Sequence, residues 1–227
     1  MIRVTENFRK IQDLLAKAAI DAGRSPESVR LLAASKTQSA ETVLEAASTG
    51  QLDFGENFAK EGIEKMKATG RDDLIWHFIG HVQSNKTRVI AEHFAWVHTI
   101  DRLKIAERLS KQRPYYADDL NVCIEVNIDE EAGKSGIEAT ATLELAKAIA
   151  ELPRLRLRGL MCIPALRTEP VDQRVPFAHL RELAESLAAA GVETDTLSMG
   201  MTGDFVPAIQ EGATIVRIGT ALFGPRK

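Results

Sequence analysis

Apolar side chains recur at steps of three and four through Val4, Phe8, Ile11, Leu15 and Ala18, the spacing of one buried helical face. The breakers in Asp21-Ala-Gly-Arg-Ser-Pro26 end this opening helix. Beyond it, short apolar runs near residues 30–35, 52–54, 74–79, 95–98, 121–127, 156–162, 195–198 and 214–218 have the length of strands, eight in all. Helical patterns stand between them at Ala40–Ser48, Phe58–Ala68, Arg102–Gln112, Ala139–Leu152, Val175–Ala190 and Asp204–Gln210. Asp101 and Asp204 sit where N-caps would open two of these helices. Alternation of this kind predicts a parallel sheet with crossover helices. Eight units predict an α/β chain folded as a single (β/α)8 barrel of the TIM type with an extra N-terminal helix, one domain over residues 1–227, near the usual barrel length of about 250 residues. A doubly wound open sheet is the alternative, and the strand count weighs against it. The segment Pro164–Asp172 reads as a mobile loop at the barrel mouth, and Arg154, Arg156 and Arg158 as solvated or helix-facing arginines at its floor.

Composition narrows the class. With 44% hydrophobic and 27% charged residues the chain is an ordinary globular protein, and a net charge of −3 gives no general attraction to nucleic acid or anionic membranes. Any anion site must therefore be local. No apolar run approaches the ~20 residues that span a bilayer, and the start Met1–Phe8 lacks the apolar core of a leader, so a cytoplasmic protein is expected. Cys123 and Cys162 each lie inside an apolar run and read as buried thiols rather than a disulfide or metal pair.

Barrel proteins place their chemistry at the carboxyl ends of the strands. Lys36 follows the first run, Gly55-Glu-Asn57 the second, Glu125 and Asn127 the fifth, Ser198-Met-Gly-Met-Thr202 the seventh and Arg217-Ile-Gly-Thr220 the eighth. A lysine partly desolvated in a barrel mouth has a lowered pKa and so a neutral amine able to form an imine. Barrel phosphates commonly sit on backbone N–H groups after strands seven and eight, where Gly219 and Thr220 open a turn and Gly200-Met-Thr202-Gly203 forms a second loop. An imine-forming amine beside an anion cradle suits a phosphorylated aldehyde, pyridoxal 5'-phosphate. Arg217, pointing inward between them, can donate to a ring nitrogen. His77 and His81 have the spacing of a helical metal pair but fall at a strand end and its loop, so no metal site is expected. His77 reads as packed beneath the site, and His93, His98 and His179 as structural.

The segments Leu32–Thr37, Phe54-Gly-Glu-Asn57, Trp76–Gly80 with Gln83-Ser-Asn-Lys86, His98-Thr-Ile-Asp101, Lys134-Ser-Gly136, Arg158-Gly-Leu-Met161, Leu197–Met201 and Val216–Thr220 with Phe223-Gly224 occur in an order that resembles the YggS/PROSC family of pyridoxal-phosphate homeostasis proteins, across essentially the whole chain. The resemblance implies a barrel related to the N-terminal domain of alanine racemase. It implies Lys36 carrying the cofactor as an internal aldimine, Arg217 facing the pyridine nitrogen, and Thr202, Gly219 and Thr220 holding the phosphate. Ser198 and Asn57 fall in matching motifs and join the cofactor-binding set. Thr202 departs from the serine more usual in that family but keeps the hydroxyl, and Asp204 still fits.

Two functions compete. One is a non-catalytic holder or carrier of pyridoxal phosphate, with apo-enzymes as recipients and no catalytic residues of its own. The other is an amino-acid racemase, which needs acid–base groups on both faces of the cofactor. The related racemase takes its second base from another domain and subunit, and the only tyrosines here, Tyr115 and Tyr116, fall in a floor loop. The carrier is the expectation, as a monomer. A sugar-phosphate aldolase using Lys36 is a third reading, and it would bind no coloured cofactor.

Overall fold

The computed structural model describes residues 4–131 and 133–224; Met1–Arg3, part of the start read above as lacking a leader, lie outside them. Eight strands, β1 Arg30–Ala34, β2 Asp53–Glu56, β3 Ile75–Phe78, β4 Trp96–Ile100, β5 Leu120–Glu125, β6 Leu155–Met161, β7 Thr196–Ser198 and β8 Ile215–Ile218, pair in parallel in chain order. β8 returns to β1 from Arg30 opposite Ile215 to Ala33 opposite Ile218. That closure establishes the barrel and excludes an open sheet.

Before the barrel, α1 Val4–Asp21 buries Val4, Phe8, Ile11, Leu15, Ala18 and Ala19, the expected stripe with one neighbour added. Between the strands lie α2 Ala40–Ala47, α3 Ala59–Thr69, α4 Thr87–His93, α5 Leu103–Gln112, α6 Thr142–Ala150, α7 Pro170–Ala189 and α8 Phe205–Gln210, and α9 Thr220–Phe223 follows β8. α4 was not foreseen: in seven residues it buries only Thr87, Ile90 and Ala91, too little for a visible period. α7 begins at Pro170, inside the segment read as a loop. Proline is preorganised for a first helical turn, but the buried positions Phe177, Leu180 and Leu187 start well after it. Asp101 does not cap, and Asp204 holds the cap position of α8 without a capping bond from its side chain. Arg102 occupies the cap position of α5 while Asp101 pairs with its guanidinium. Asp204 stands before α8, but its carboxylate turns back to accept from the Met201 N–H at 2.6 Å.

Inside the barrel, Leu32, Trp96, Cys123, Met161 and Ile215 form an apolar plug, and the larger core lies between strands and helices. Both cysteines are free and buried. Arg158 joins the interior rather than the outer layer. The β5–β6 register slips, with Val122 opposite Leu157 but Cys123 opposite Gly159, so Arg158 is the extra residue of a bulge. Its guanidinium lies 4.7 Å from the Trp96 ring centre and bonds Asp195 and Asn121. The lower barrel is filled in this way, and its carboxyl end is left for polar groups.

Candidate functional site

Lys36 stands two residues past β1 at the carboxyl end of the barrel, half-buried. Both its neighbours are anchored. Ser35 is fully buried; its N–H donates to the Gly55 carbonyl at 3.0 Å and its hydroxyl to Glu56 Oε1 at 2.6 Å. The Ser35 carbonyl accepts from Lys65 Nζ at 2.6 Å, and the same ammonium reaches Glu56 at 2.8 Å and Glu61 at 2.7 Å. Glu61 in turn accepts from the N–H of Thr37 at 2.5 Å. Thr37 has φ of 68°, the left-handed region that a β-branched residue avoids, so this bond holds a strained turn in place. Burial pushes the Glu56 carboxyl above its ordinary pKa, against the pull of Lys65 and Ser35. A buried ion cluster thus fixes the backbone on either side of Lys36. Sequence reading missed it, because Glu61 and Lys65 look like an ordinary exposed helix pair four residues apart.

The anion loops meet the same strand. A Cβ on Gly219 would lie 3.2 Å from the Ala34 carbonyl, so the turn into α9 packs directly against the strand that leads to Lys36. The first N–H groups of α9 have no carbonyl partner within the helix. The extra helix α1 braces α9: Asn7 donates to the Leu222 carbonyl at 3.0 Å, and Phe8 meets Phe223 edge-on. The loop after β7 is tied to β8 by the Arg217 N–H on the Gly200 carbonyl, 2.9 Å. Thr202 and Thr220 are exposed at the mouth, with Gly219 partly covered between β8 and α9.

Arg217 points inward, 5% exposed, and donates to the Ser198 carbonyl at 2.6 Å, the Ser198 hydroxyl at 2.8 Å and the Cys162 carbonyl at 2.8 Å. Burial lowers its pKa. Ser198 lies beneath it, fully buried, its hydroxyl also bonded to His98 Nδ1 at 2.8 Å. Ser198 therefore stands one hydrogen bond behind Arg217. Asn57 follows β2 with its side-chain oxygen buried and without a partner. Gly80 packs on that residue so closely that a Cβ would lie 2.1 Å from the Asn57 carbonyl. His77 faces into the barrel, bonded to Asp53 and His98, while His81 lies in the next loop with Nδ1 3.8 Å from Asp101.

Glu125, at the end of β5, is 5% exposed, and one of its carboxyl oxygens has no partner. Burial first, and then Asp101, push its pKa up to about 7, with Arg217 opposing. The folded state holds this proton more tightly than the unfolded chain, where a glutamate ionises near 4.3. Glu125 therefore favours folding below about pH 4, and that contribution is lost as pH rises through 7. Glu125→Gln stays neutral throughout and is expected to stabilise the cofactor-free protein by up to about 3 kcal/mol at pH 8, and by almost nothing at pH 4. Urea midpoints of both proteins at the two pH values check this; a gain independent of pH would show that the carboxyl is not the cause.

A family model described as the alanine racemase N-terminal domain matches residues 4–227. The pyridoxal phosphate homeostasis protein of Pseudomonas aeruginosa is 53% identical over 226 residues, covering 100% of this chain and 97% of that protein. The Escherichia coli protein of the same description is 51% identical over 231 residues, 98% of this chain and 97% of that one. Among solved structures, PipY of Synechococcus elongatus with PLP bound is similar at a TM-score of 0.85 and 33% identity, covering 97% of this chain and 100% of that one.

Proposed function

The chain belongs to the alanine racemase N-terminal domain family and, within it, to the pyridoxal phosphate homeostasis proteins; we propose that it holds that cofactor on Lys36 and passes it on without strong catalysis of its own. It binds pyridoxal 5'-phosphate and serves the homeostasis of that cofactor. The observation that carries the residue assignment is the meeting of β1 and the Gly219 turn: the strand that presents Lys36 touches the anion loop, with Arg217 beside it on β8.

The residues present fit the cofactor. Gly219 packs tightly on Ala34, where a Cβ would lie 3.2 Å from its carbonyl, and the buried Asn57 side-chain oxygen at the same end of the barrel has no partner. When bound, pyridoxal phosphate supplies an aldehyde, a phosphate and a ring that accepts electrons. Lys36 attaches the aldehyde. Gly219 and Thr220 offer backbone N–H groups and a hydroxyl to the phosphate, and Thr202 adds a second hydroxyl from the loop after β7. Arg217 keeps its protons and donates a hydrogen bond to the ring nitrogen, which leaves that nitrogen unprotonated and weakens the ring as an electron sink. A holder benefits from that, and a racemase would not. Tyr115 and Tyr116 offer no second base, since they stand 92% and 79% exposed in the loop between α5 and β5, at the opposite end of the barrel.

We place the protein in the cytoplasm as a monomer whose recipients are apo-enzymes. No helix among the described residues is long and apolar enough to cross a membrane. Mixing the loaded protein with an apo-enzyme is expected to reconstitute activity faster than the cofactor dissociates into buffer. Reconstitution no faster than dissociation removes the delivery role, and racemisation of an amino acid well above the rate of free cofactor removes the carrier assignment.

A further inference from the structure

A single line of buried polar contacts crosses the barrel. Asp53 Oδ1 lies 2.9 Å from His77 Nε2, His77 Nδ1 lies 2.9 Å from His98 Nε2, and His98 Nδ1 lies 2.8 Å from Ser198 Oγ, which receives Arg217 Nη1 at 2.8 Å. His77, His98 and Ser198 are fully buried. Asp53 begins β2 at the floor and pairs with the half-exposed Arg30 at 3.4 Å, whereas Arg217 stands at the mouth. We infer that Asp53, His77, His98 and Ser198 are positioning residues for Arg217, linked as one directional hydrogen-bonded chain that holds the guanidinium in a fixed orientation beneath the ring site.

The direction follows from the donors available. The Asp53 carboxylate can only accept, so His77 carries its proton on Nε2 and gives it to Asp53. The Nδ1 of a neutral His77 then accepts, so His98 carries its proton on Nε2 and gives it to His77. His98 Nδ1 in turn accepts the Ser198 proton, and the Ser198 oxygen accepts from Arg217, which can only donate. Each group in the chain has one partner of the right kind on each side, with a cation at one end and an anion at the other. Burial lowers the pKa of both imidazoles: His98 falls well below its ordinary value, with His77 and Arg217 adding to the effect, and His77 falls against the pull of Asp53. Trp96 stacks flat on His77, 5.3 Å between ring centres at 11°, and leaves the imidazole little freedom to turn. The Ser198 and Cys162 carbonyls also hold the guanidinium, at 2.6 and 2.8 Å, and the Ser198 hydroxyl with the line behind it supplies the third contact that fixes its orientation.

The role at the ring rests on the cofactor assignment above, and two measurements separate the two claims. In cofactor-free protein, long-range proton–nitrogen NMR is expected to show His77 and His98 each as one neutral tautomer protonated on Nε2. Protonation of either on Nδ1, or an average of tautomers, overturns the chain whatever the protein binds. The second measurement is the rate at which bound pyridoxal phosphate leaves. Ser198→Ala is expected to speed it about fivefold, the usual effect of one buried hydrogen bond, with Ser198→Thr returning it to within about twofold. Asp53→Ala, remote from the ring, is expected to mix the tautomers of both histidines and to speed release, while Asp53→Asn keeps an acceptor and restores both. If the wild type holds no pyridoxal phosphate, the cofactor assignment fails and the tautomers still decide the chain. If it holds the cofactor and Asp53→Ala changes neither tautomers nor release, the positioning role is wrong.

Discussion

Lys36→Ala is expected to give a folded barrel that shows no visible absorption after incubation with pyridoxal phosphate and retains no cofactor through gel filtration. Lys36 is half-buried on a loop whose shape is set by Ser35 and Thr37, so truncating it should shift stability by no more than about 1 kcal/mol. Binding changes far more. Arg217 and the Gly219–Thr220 turn still offer contacts to ring and phosphate, but contacts of that kind exchange with solvent, and the covalent attachment is what outlasts a column. Borohydride reduction of the loaded wild type, followed by peptide mapping, is expected to place one adduct on the Lys36 peptide. Lys65 cannot substitute, because its ammonium is buried against the Ser35 carbonyl, Glu56 and Glu61. A coloured Lys36→Ala protein, or an adduct on Lys60 or Lys86 beside Asn57, would remove Lys36 from the centre of the site.

Much of the fold could be read from the pattern because each parallel strand is covered on its outer face and appears as a short apolar run. All eight runs became strands, and the α1 stripe buried as spaced. Features without a period escaped: the seven residues of α4, the Pro170 start of α7, and the bulge that turns Arg158 inward. The placement of Lys36, Arg217, Gly219 and Thr220 toward the carboxyl end of the barrel was legible because a strand end is a position in sequence as well as in space. The supporting groups were not. His98 looks like any histidine in an apolar strand, and its link to Ser198 spans 100 residues. Glu56 and Lys65 are buried by packing between β2 and α3 that no local pattern encodes.

Lys65→Met is expected to destabilise the protein by about 3–5 kcal/mol and, in the fraction that folds, to loosen the grip on the cofactor. The Lys65 side chain is only 7% exposed and Glu56 is fully enclosed, so losing the ammonium leaves a carboxylate in a site that water does not reach. Glu61 stands on the same ammonium, and the two acids would then face each other unneutralised. Part of the loss should recover on acidification, since burial already raises the Glu56 pKa and the carboxyl can take a proton instead of a partner. The double substitution Glu56→Gln with Lys65→Met removes both charges and is expected to regain most of the stability at neutral pH. Its binding should recover less, because Thr37 would still depend on Glu61 alone and the Ser35 carbonyl would have lost its donor, so the backbone on either side of Lys36 would be less firmly held. Urea midpoints at pH 5 and pH 8, read with the yield of the Lys36 adduct, separate these effects. A single variant within about 1 kcal/mol of wild type at pH 8 would mean that the cluster is not ionised and that another feature holds the lysine loop.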